Sequence, residues 1–353
     1  MRIRASRIIP YHLPLRAEWA SAQGGFTTRH GWLLRLETDA GLTGWGDCAP
    51  LPAHDARKEL EALARALTGM GMEAARHCLL PARLHPAVRC AADVALGDLA
   101  AQQAGQPLAC WLALDAAQRV RCNAALGALD AGTLPRALAA IAEGFEVLKL
   151  KVGMAPVEHE LAMLRRLSAD LPAGIALRLD ANRAWNMADA RRFIAGMADL
   201  PLDMLEEPLA QPGLTGLATL QAQTAIPLAL DESLPDLNLE RVLSAAPVQR
   251  LVLKPMLLGG LQIALETAQR ARKAGMACVV TTSVDSAAGT LAALHLAAAL
   301  NNGLHHGLAT SSWLKQDVGC APRPERGALI VGIRPGLGFI PGIEKPHCPP
   351  LSP

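Results

Sequence analysis

The sequence predicts an α/β protein, a (β/α)8 TIM-like barrel preceded by a smaller α+β unit. Three observations carry this. From about residue 120 short apolar strands alternate with helical stretches of 12–18 residues, the pattern of parallel β-α units. Eight candidate strands can be counted, the number that closes a barrel. The 353-residue length accommodates a barrel of about 250 residues plus a smaller partner.

Taken in order, residues 2–50 read as an antiparallel meander, with strands Arg2–Ile9, Gly31–Thr38 and Leu42–Asp47 and a turn at Asp39-Ala40-Gly41. Residues 55–104 switch to helical periodicity, broken at Gly69/Gly71, at Pro81 and at Gly105-Gln106-Pro107. The barrel strands are then expected at Arg121–Leu126, Val147–Val152, Ala176–Asp180, Met204–Glu206, Leu228–Asp231, Leu251–Lys254, Cys278–Thr282 and Gly307–Ala309. A Pro- and Gly-rich tail follows. The expected division is an α+β unit over 1–115, the barrel over 116–320, and a C-terminal segment over 321–353 that packs back on the first unit.

Composition narrows the function classes. Apolar residues make up 51% and charged residues 19%, enough to bury a large core with no sign of disorder. Net charge is +2 and the basic residues are scattered, so nucleic acid is not expected as a partner. Neither a leader-like apolar block nor an uninterrupted apolar stretch of about 18 residues is seen, so no membrane span and a cytoplasmic protein are expected. The partner expected is a small molecule, and the sequence leaves a homo-oligomer open. The eight cysteines include no C-x-x-C and are read as reduced, mostly buried residues.

The chemistry sits at the strand ends: Lys149 and Lys151, Asp180 and Asn182, Glu206 and Glu207, Asp231 and Glu232, Lys254. From Lys151 to Asp180, Glu206, Asp231 and Lys254 the intervals are 29, 26, 25 and 23 residues, each about one β-α repeat. The C-terminal ends of barrel strands share one mouth, so consecutive strands deliver one functional group each. Asp180, Glu206 and Asp231 form an all-oxygen set suited to a hard divalent cation, Mg2+ best, with Mn2+ tolerated. A single such Asp would ordinarily be a helix cap. Three in register, flanked by two lysine strands, favour the metal site. In Val147-Leu148-Lys149-Leu150-Lys151-Val152 the period of two points both lysines into the lumen. Lys151 and Lys254 would face each other across the metal, where one could serve as a base if held neutral.

Lys149-x-Lys151, Asp180-Ala181-Asn182-Arg183-Ala184-Trp185, Glu206-Glu207-Pro208, Asp231-Glu232-Ser233 and Lys254-Pro255 resemble the enolase superfamily in its muconate-lactonizing-enzyme-like branch. The Asp-Ala-Asn-Arg-Ala-Trp string, Gly46-Asp47-Cys48-Ala49-Pro50-Leu51-Pro52 and Thr281-Thr282-Ser283-Val284-Asp285-Ser286 most resemble the o-succinylbenzoate synthases of menaquinone biosynthesis. The resemblance implies an enolase-type barrel and a lyase that dehydrates 2-succinyl-6-hydroxy-2,4-cyclohexadiene-1-carboxylate through an enediolate. It makes Asp180, Glu206 and Asp231 the magnesium ligands, Lys151 the general base, Lys149 the lysine that lowers its pKa, and Lys254 the opposing cation. Asn182, Glu207 and Glu232 become supports of the metal ligands. Thr281, Ser283, Asp285, Ser286 and Gly307 are expected to contact substrate. The first unit is expected to cap the mouth with loops Ala17–Arg29 and Asp47–His54. Asp47 and Asp285 stand where these enzymes usually carry Glu.

The same lysine pair could serve a two-base racemisation, as in N-succinylamino acid racemases or dipeptide epimerases, or a muconate cycloisomerase. The epimerases carry an Asp-x-Asp in the last barrel loops, and none follows Ser283 here. A barrel that only binds a metal or metabolite would be expected to have lost one of the five residues. His30, His159 and His305-His306 receive no role.

Overall fold

The structure is a computed structural model that describes residues 1–21, 24–51, 53–79 and 83–342. Parts of both expected capping loops (Ala22, Gln23, Pro52), the break at Pro81, Cys348 and the tail from residue 343 lie outside the described residues.

The chain opens with a three-stranded antiparallel sheet, β1 (Ile3–Ser21), β2 (Gly24–Thr38) and β3 (Thr43–Cys48), in that spatial order. The first two strands are much longer than expected. Pro10 and Pro14 look like strand breakers, but β1 is an edge strand, where a missing N–H costs no ladder bond. It therefore continues through a shift between Pro14 and Trp19 to the pair Ser21–Gly24. The expected loop Ala17–Arg29 is thus mostly the far end of this hairpin. Helices α1 (Arg57–Leu67), α2 (Met72–Leu79), α3 (Pro86–Gln103) and α4 (Leu108–Leu112) follow. Gly46 lets β3 lie directly on α3, since a Cβ there would stand 1.8 Å from the Ala91 carbonyl oxygen.

The barrel region comprises β4 (Arg119–Arg121), β5 (Ala124–Ala128), α5 (Thr133–Ala142), β6 (Val147–Lys151), α6 (Val157–Asp170), β7 (Ala176–Asp180), α7 (Met187–Gly196) and β8 (Leu202–Glu206). It continues with α8 (Leu214–Gln221), β9 (Leu228–Leu230), α9 (Leu239–Ala245), β10 (Arg250–Leu253), α10 (Pro255–Leu258), α11 (Leu261–Lys273), β11 (Ala277–Val280) and α12 (Ala287–Leu300). Strands β5 to β11 form one parallel sheet in sequence order. The expected eighth strand at Gly307–Ala309 is not a regular strand. The ring closes through two single bridges one residue earlier, His306 to Cys122 and Gly307 to Thr281. The expected first strand is likewise divided. Its start, β4, leaves the barrel and pairs antiparallel with β12 (Ala328–Ile330).

Alternation along each strand sorts the residues. Leu148, Leu150, Leu177, Leu179, Leu205, Leu251 and Leu253 join the main core outside the barrel, whereas Met204, Ala229, Val252 and Val279 form a separate apolar cluster, one residue from each of β8 to β11. The segment after β12 lies on the first unit: Gly336 exchanges backbone bonds with Gln106 and Leu108, and Phe339 meets Trp45 edge-on at 5.4 Å. Cys48, Cys78, Cys90, Cys110, Cys122 and Cys278 are free, as expected. Cys320 is disulfide-bonded, against the expectation that all eight are reduced. Among the described residues no helix is long and apolar enough to cross a membrane.

Candidate active site

Strand register places the charged groups in one layer. Lys151 pairs with Asp180, and Asp180 with Glu206, across β6, β7 and β8, while Asp231 and Lys254 directly follow β9 and β10. In a ring of eight positions β6 and β10 stand opposite each other. The lysines of those two strands therefore flank the three carboxylates of the strands between them.

Single ligand atoms of Asp180, Glu206 and Asp231 lie within 4.8 Å of one another, and all three side chains are buried. Lys149 Nζ pairs with Asp180 Oδ2 at 3.0 Å and with Glu206 Oε2; Lys151 Nζ reaches Asp180 Oδ2 at 2.7 Å and Asn182 Oδ1 at 2.6 Å. On the other side Lys254 Nζ pairs with Asp231 Oδ2 at 2.6 Å. Burial works against the charge on Lys149 and Lys254, but the facing carboxylates outweigh it and hold both above the ordinary lysine range. These two are firm cations, and neither is a neutral base. Asp180 is also buried, yet Lys149 and Lys151 hold it far below the usual carboxylate range. Glu206 goes the other way, raised to about 7 by burial and by Asp180 and Asp231 against the pull of Lys149.

The supporting residues behave as a scaffold. The Asn182 side-chain amide donates to Glu232 Oε1 at 2.9 Å. Glu207 accepts from the Asp231 N–H at 2.5 Å and from the Ser233 N–H and hydroxyl at 3.0 and 2.7 Å, which fixes the turn that presents Asp231. Asn182 and Glu207 have positive φ, 43° and 46°, sharp bends just past the strand ends.

A cavity of about 850 Å3 opens above this layer, lined among others by Lys149, Lys151, Asp180, Asn182, Asp231, Glu232 and Lys254. Its roof comes from the hairpin: Trp19 meets Trp313 edge-on at 4.9 Å, the Lys315 N–H donates to the Pro14 carbonyl at 2.9 Å, and Phe26 and Arg29 also line it. Of the expected substrate contacts, Thr281, Ser283 and Gly307 line the cavity. Asp285 and Ser286 do not. Ser286 Oγ donates to Asp47 Oδ2 at 2.8 Å, Tyr11 donates to Asp47 Oδ1 at 2.6 Å, and Asp285 faces Arg29 at 3.6 Å. These groups join the barrel to its cap behind the cavity wall. Sequence reasoning passed over Arg29 and Asn123, both buried and both on the cavity wall. Asn123 falls within an apolar run as a lone polar residue, which was the available signal.

The three carboxylates suit a metal ion on this geometry. Asp231 Oδ1 is buried with no hydrogen-bond partner among the described residues, and all candidate ligand atoms are hard oxygens.

Comparison with known proteins identifies the family. Residues 133–342 match the Enolase C-terminal domain-like family. The hydrophobic dipeptide epimerase of Enterococcus faecalis is 27% identical over 363 residues, covering 98% of this chain and all of the relative. The o-succinylbenzoate synthase of Pectobacterium atrosepticum is 30% identical over 319 residues, covering 90% of this chain and 93% of the relative. Among solved structures, the Enterococcus faecalis dipeptide epimerase complexed with Mg and the dipeptide L-Leu-L-Tyr superposes with a TM-score of 0.89 at 26% identity, over 96% of this chain and 99% of that one. With strand-end lysines facing a carboxylate triad and a family match over most of the barrel, this chain belongs to the enolase superfamily, in its muconate-lactonizing-enzyme-like branch.

Proposed function

We propose that the chain is an o-succinylbenzoate synthase, a hydro-lyase that forms 2-succinylbenzoate from 2-succinyl-6-hydroxy-2,4-cyclohexadiene-1-carboxylate. The observation that carries the finer choice is the wall built by the last barrel segments. Thr281, Thr282, Ser283, Gly307, Thr310 and Trp313 line it, and none carries a charge. A dipeptide brings an ammonium group that needs an acidic acceptor, whereas a succinyl arm brings only oxygens that need donors. Hydroxyls and backbone N–H groups supply donors.

Asp180, Glu206 and Asp231 would hold Mg2+, which when bound supplies positive charge against the carboxylate whose α-proton leaves. Lys151 then takes that proton. Its Nζ lies 2.7 Å from Asp180 and 2.6 Å from Asn182, so the amine is aimed into the lumen and does not range over rotamers. Lys149 stands beside it as a second cation, paired with Asp180 and Glu206. Lys254 presents a cation from the opposite side to the charge that develops. The hydroxyl then leaves as water with the proton that Lys151 took, and the ring aromatises. Trp19, Phe26 and Arg29 of the hairpin line the same cavity.

A second reading, N-succinylamino acid racemase, is favoured by the opposed placement of Lys151 and Lys254, which suits proton removal on one face and return on the other. Supplying purified protein with the cyclohexadiene carboxylate and magnesium, with an EDTA control, tests the first reading. Ultraviolet absorbance should report aromatic product from wild type, none from Lys151→Ala, and none with EDTA. A wild type inert there that exchanges the α-proton of N-succinylamino acids in D2O would replace the synthase by the racemase.

A further inference from the structure

Asn123 lies at the floor of the cavity, just before β5, level with Val147 and therefore one inward-facing position below Lys149. It is 2% exposed and lines the cavity. Its Oδ1 accepts from Arg178 Nη1 at 2.8 Å. Arg178 is itself fixed: it is 1% exposed, Nε donates to Asp203 at 2.8 Å, and Nη2 donates to the His305 carbonyl at 2.8 Å. A guanidinium only donates, so the amide oxygen must face it and the Asn123 NH2 must face away. That NH2 group has no hydrogen-bond partner among the described residues.

Gly307 lets the backbone pack closely on Thr281 and approach the Asn123 amide oxygen. A Cβ at that position would stand 2.3 Å from Thr281 Oγ1 and 3.6 Å from Asn123 Oδ1. Ser283 Oγ, buried on the cavity wall, has no hydrogen-bond partner among the described residues. The Asn123 NH2 and the Ser283 hydroxyl thus offer two donors to the same cavity, a recess suited to an acceptor.

We propose that Asn123, oriented by Arg178, is a specificity-determining residue that donates its side-chain N–H to an oxygen, carbonyl or carboxylate, on the arm of the substrate remote from the reacting carbon. The proposal deepens the assigned activity, because it names the group that reads the succinyl arm, and it rests on the substrate carrying such an arm. Arg178 is a positioning residue. It does not reach the ligand but prevents the amide from turning over.

Calorimetric titration of the magnesium-loaded protein tests this with three probes: 2-succinylbenzoate, N-succinyl-L-alanine, and benzoate, which lacks the arm. Asn123→Asp keeps the partner of Arg178 while turning the donor into an acceptor, and Asn123→Ser is a smaller second variant. Thermal melting checks that both fold. Both variants should weaken the succinyl probe that wild type binds by about ten- to a hundredfold, leave benzoate unchanged, and raise KM more than they lower kcat. Arg178→Gln should give a smaller loss of the same kind. Folded variants that bind the succinyl probes as wild type does would overturn the proposal while leaving the synthase reading intact. The same selective loss seen with N-succinyl-L-alanine, in a protein that does not bind 2-succinylbenzoate, would keep the Asn123 assignment and remove the synthase.

Discussion

Asp203 shows at the scale of one residue how this barrel tolerates charge inside. Burial pushes its carboxyl up, but Arg178 and Arg250, at 2.7 and 3.0 Å, outweigh burial and hold it below the ordinary range. Removing one partner of such a cluster leaves a buried charge uncompensated. Asp203→Asn is therefore expected to lower stability by roughly 3–5 kcal/mol in urea denaturation, with Arg178 and through it Asn123 losing their fixed positions. Asp98 has the opposite sign. Burial raises it from 3.8 to about 6, against the N–H donors of Leu337, Gln102 and Trp45. The folded protein thus holds a proton that the unfolded chain releases near 3.8, so this group's contribution falls as pH rises from about 4 to about 6. Melting midpoints measured across that window should show the advantage of wild type over Asp98→Asn shrinking as pH rises; a constant difference would contradict the shift. At this scale the sequence revealed the lysines and carboxylates because each ends an apolar strand. It did not reveal Asn123, whose role depends on Arg178 55 residues away, nor that Asp285 and Ser286 turn behind the wall toward Asp47.

At the scale of elements, the cap and the barrel are joined at a helix end that one supplies for the other. The barrel helix α11 has Gly260 at its N-terminal cap and so no capping side chain of its own. Asp93, from α3 of the first unit, supplies one: its Oδ2 accepts from the N–H groups of Leu261 and Gln262 at 2.6 and 3.2 Å. Asp93→Ala should cost about 1–2 kcal/mol, the upper range for losing a cap, read as a lower denaturation midpoint. No change would mean that the contact adds nothing. Gly260 has φ +130°, and a Cβ there would stand 2.5 Å from Asp93, so Gly260→Ala should be the more damaging of the two. Element boundaries were legible where apolar alternation was unbroken, as in β6 and β7. They failed where topology decided. Pro10 and Pro14 end a central strand but not an edge strand, and the eighth barrel position needs only two bridged residues, too few for a periodic signal.

For the molecule as a whole, the carboxylate layer links metal binding to stability. A ligand that binds only the folded state stabilises it by mass action, about 2.7 kcal/mol at a hundredfold excess over its dissociation constant. Magnesium should therefore raise the melting midpoint of wild type and leave that of Asp231→Asn nearly unchanged. The fold class was readable because a repeat of one strand and one helix recurs with functional groups in phase, a pattern that needs no knowledge of packing. The reach of the hairpin over the mouth was not, since it rests on contacts such as Trp19 with Trp313, nearly three hundred residues apart in sequence. The most direct measurement of the central claim is single-turnover conversion of the cyclohexadiene carboxylate by wild type and by Lys151→Ala, each shown by calorimetry to bind magnesium. Aromatic product from wild type and none from the variant, at comparable metal affinity, is the expected result. Equal rates in the two proteins would show that the proton leaves by another route and would contradict the role given to Lys151.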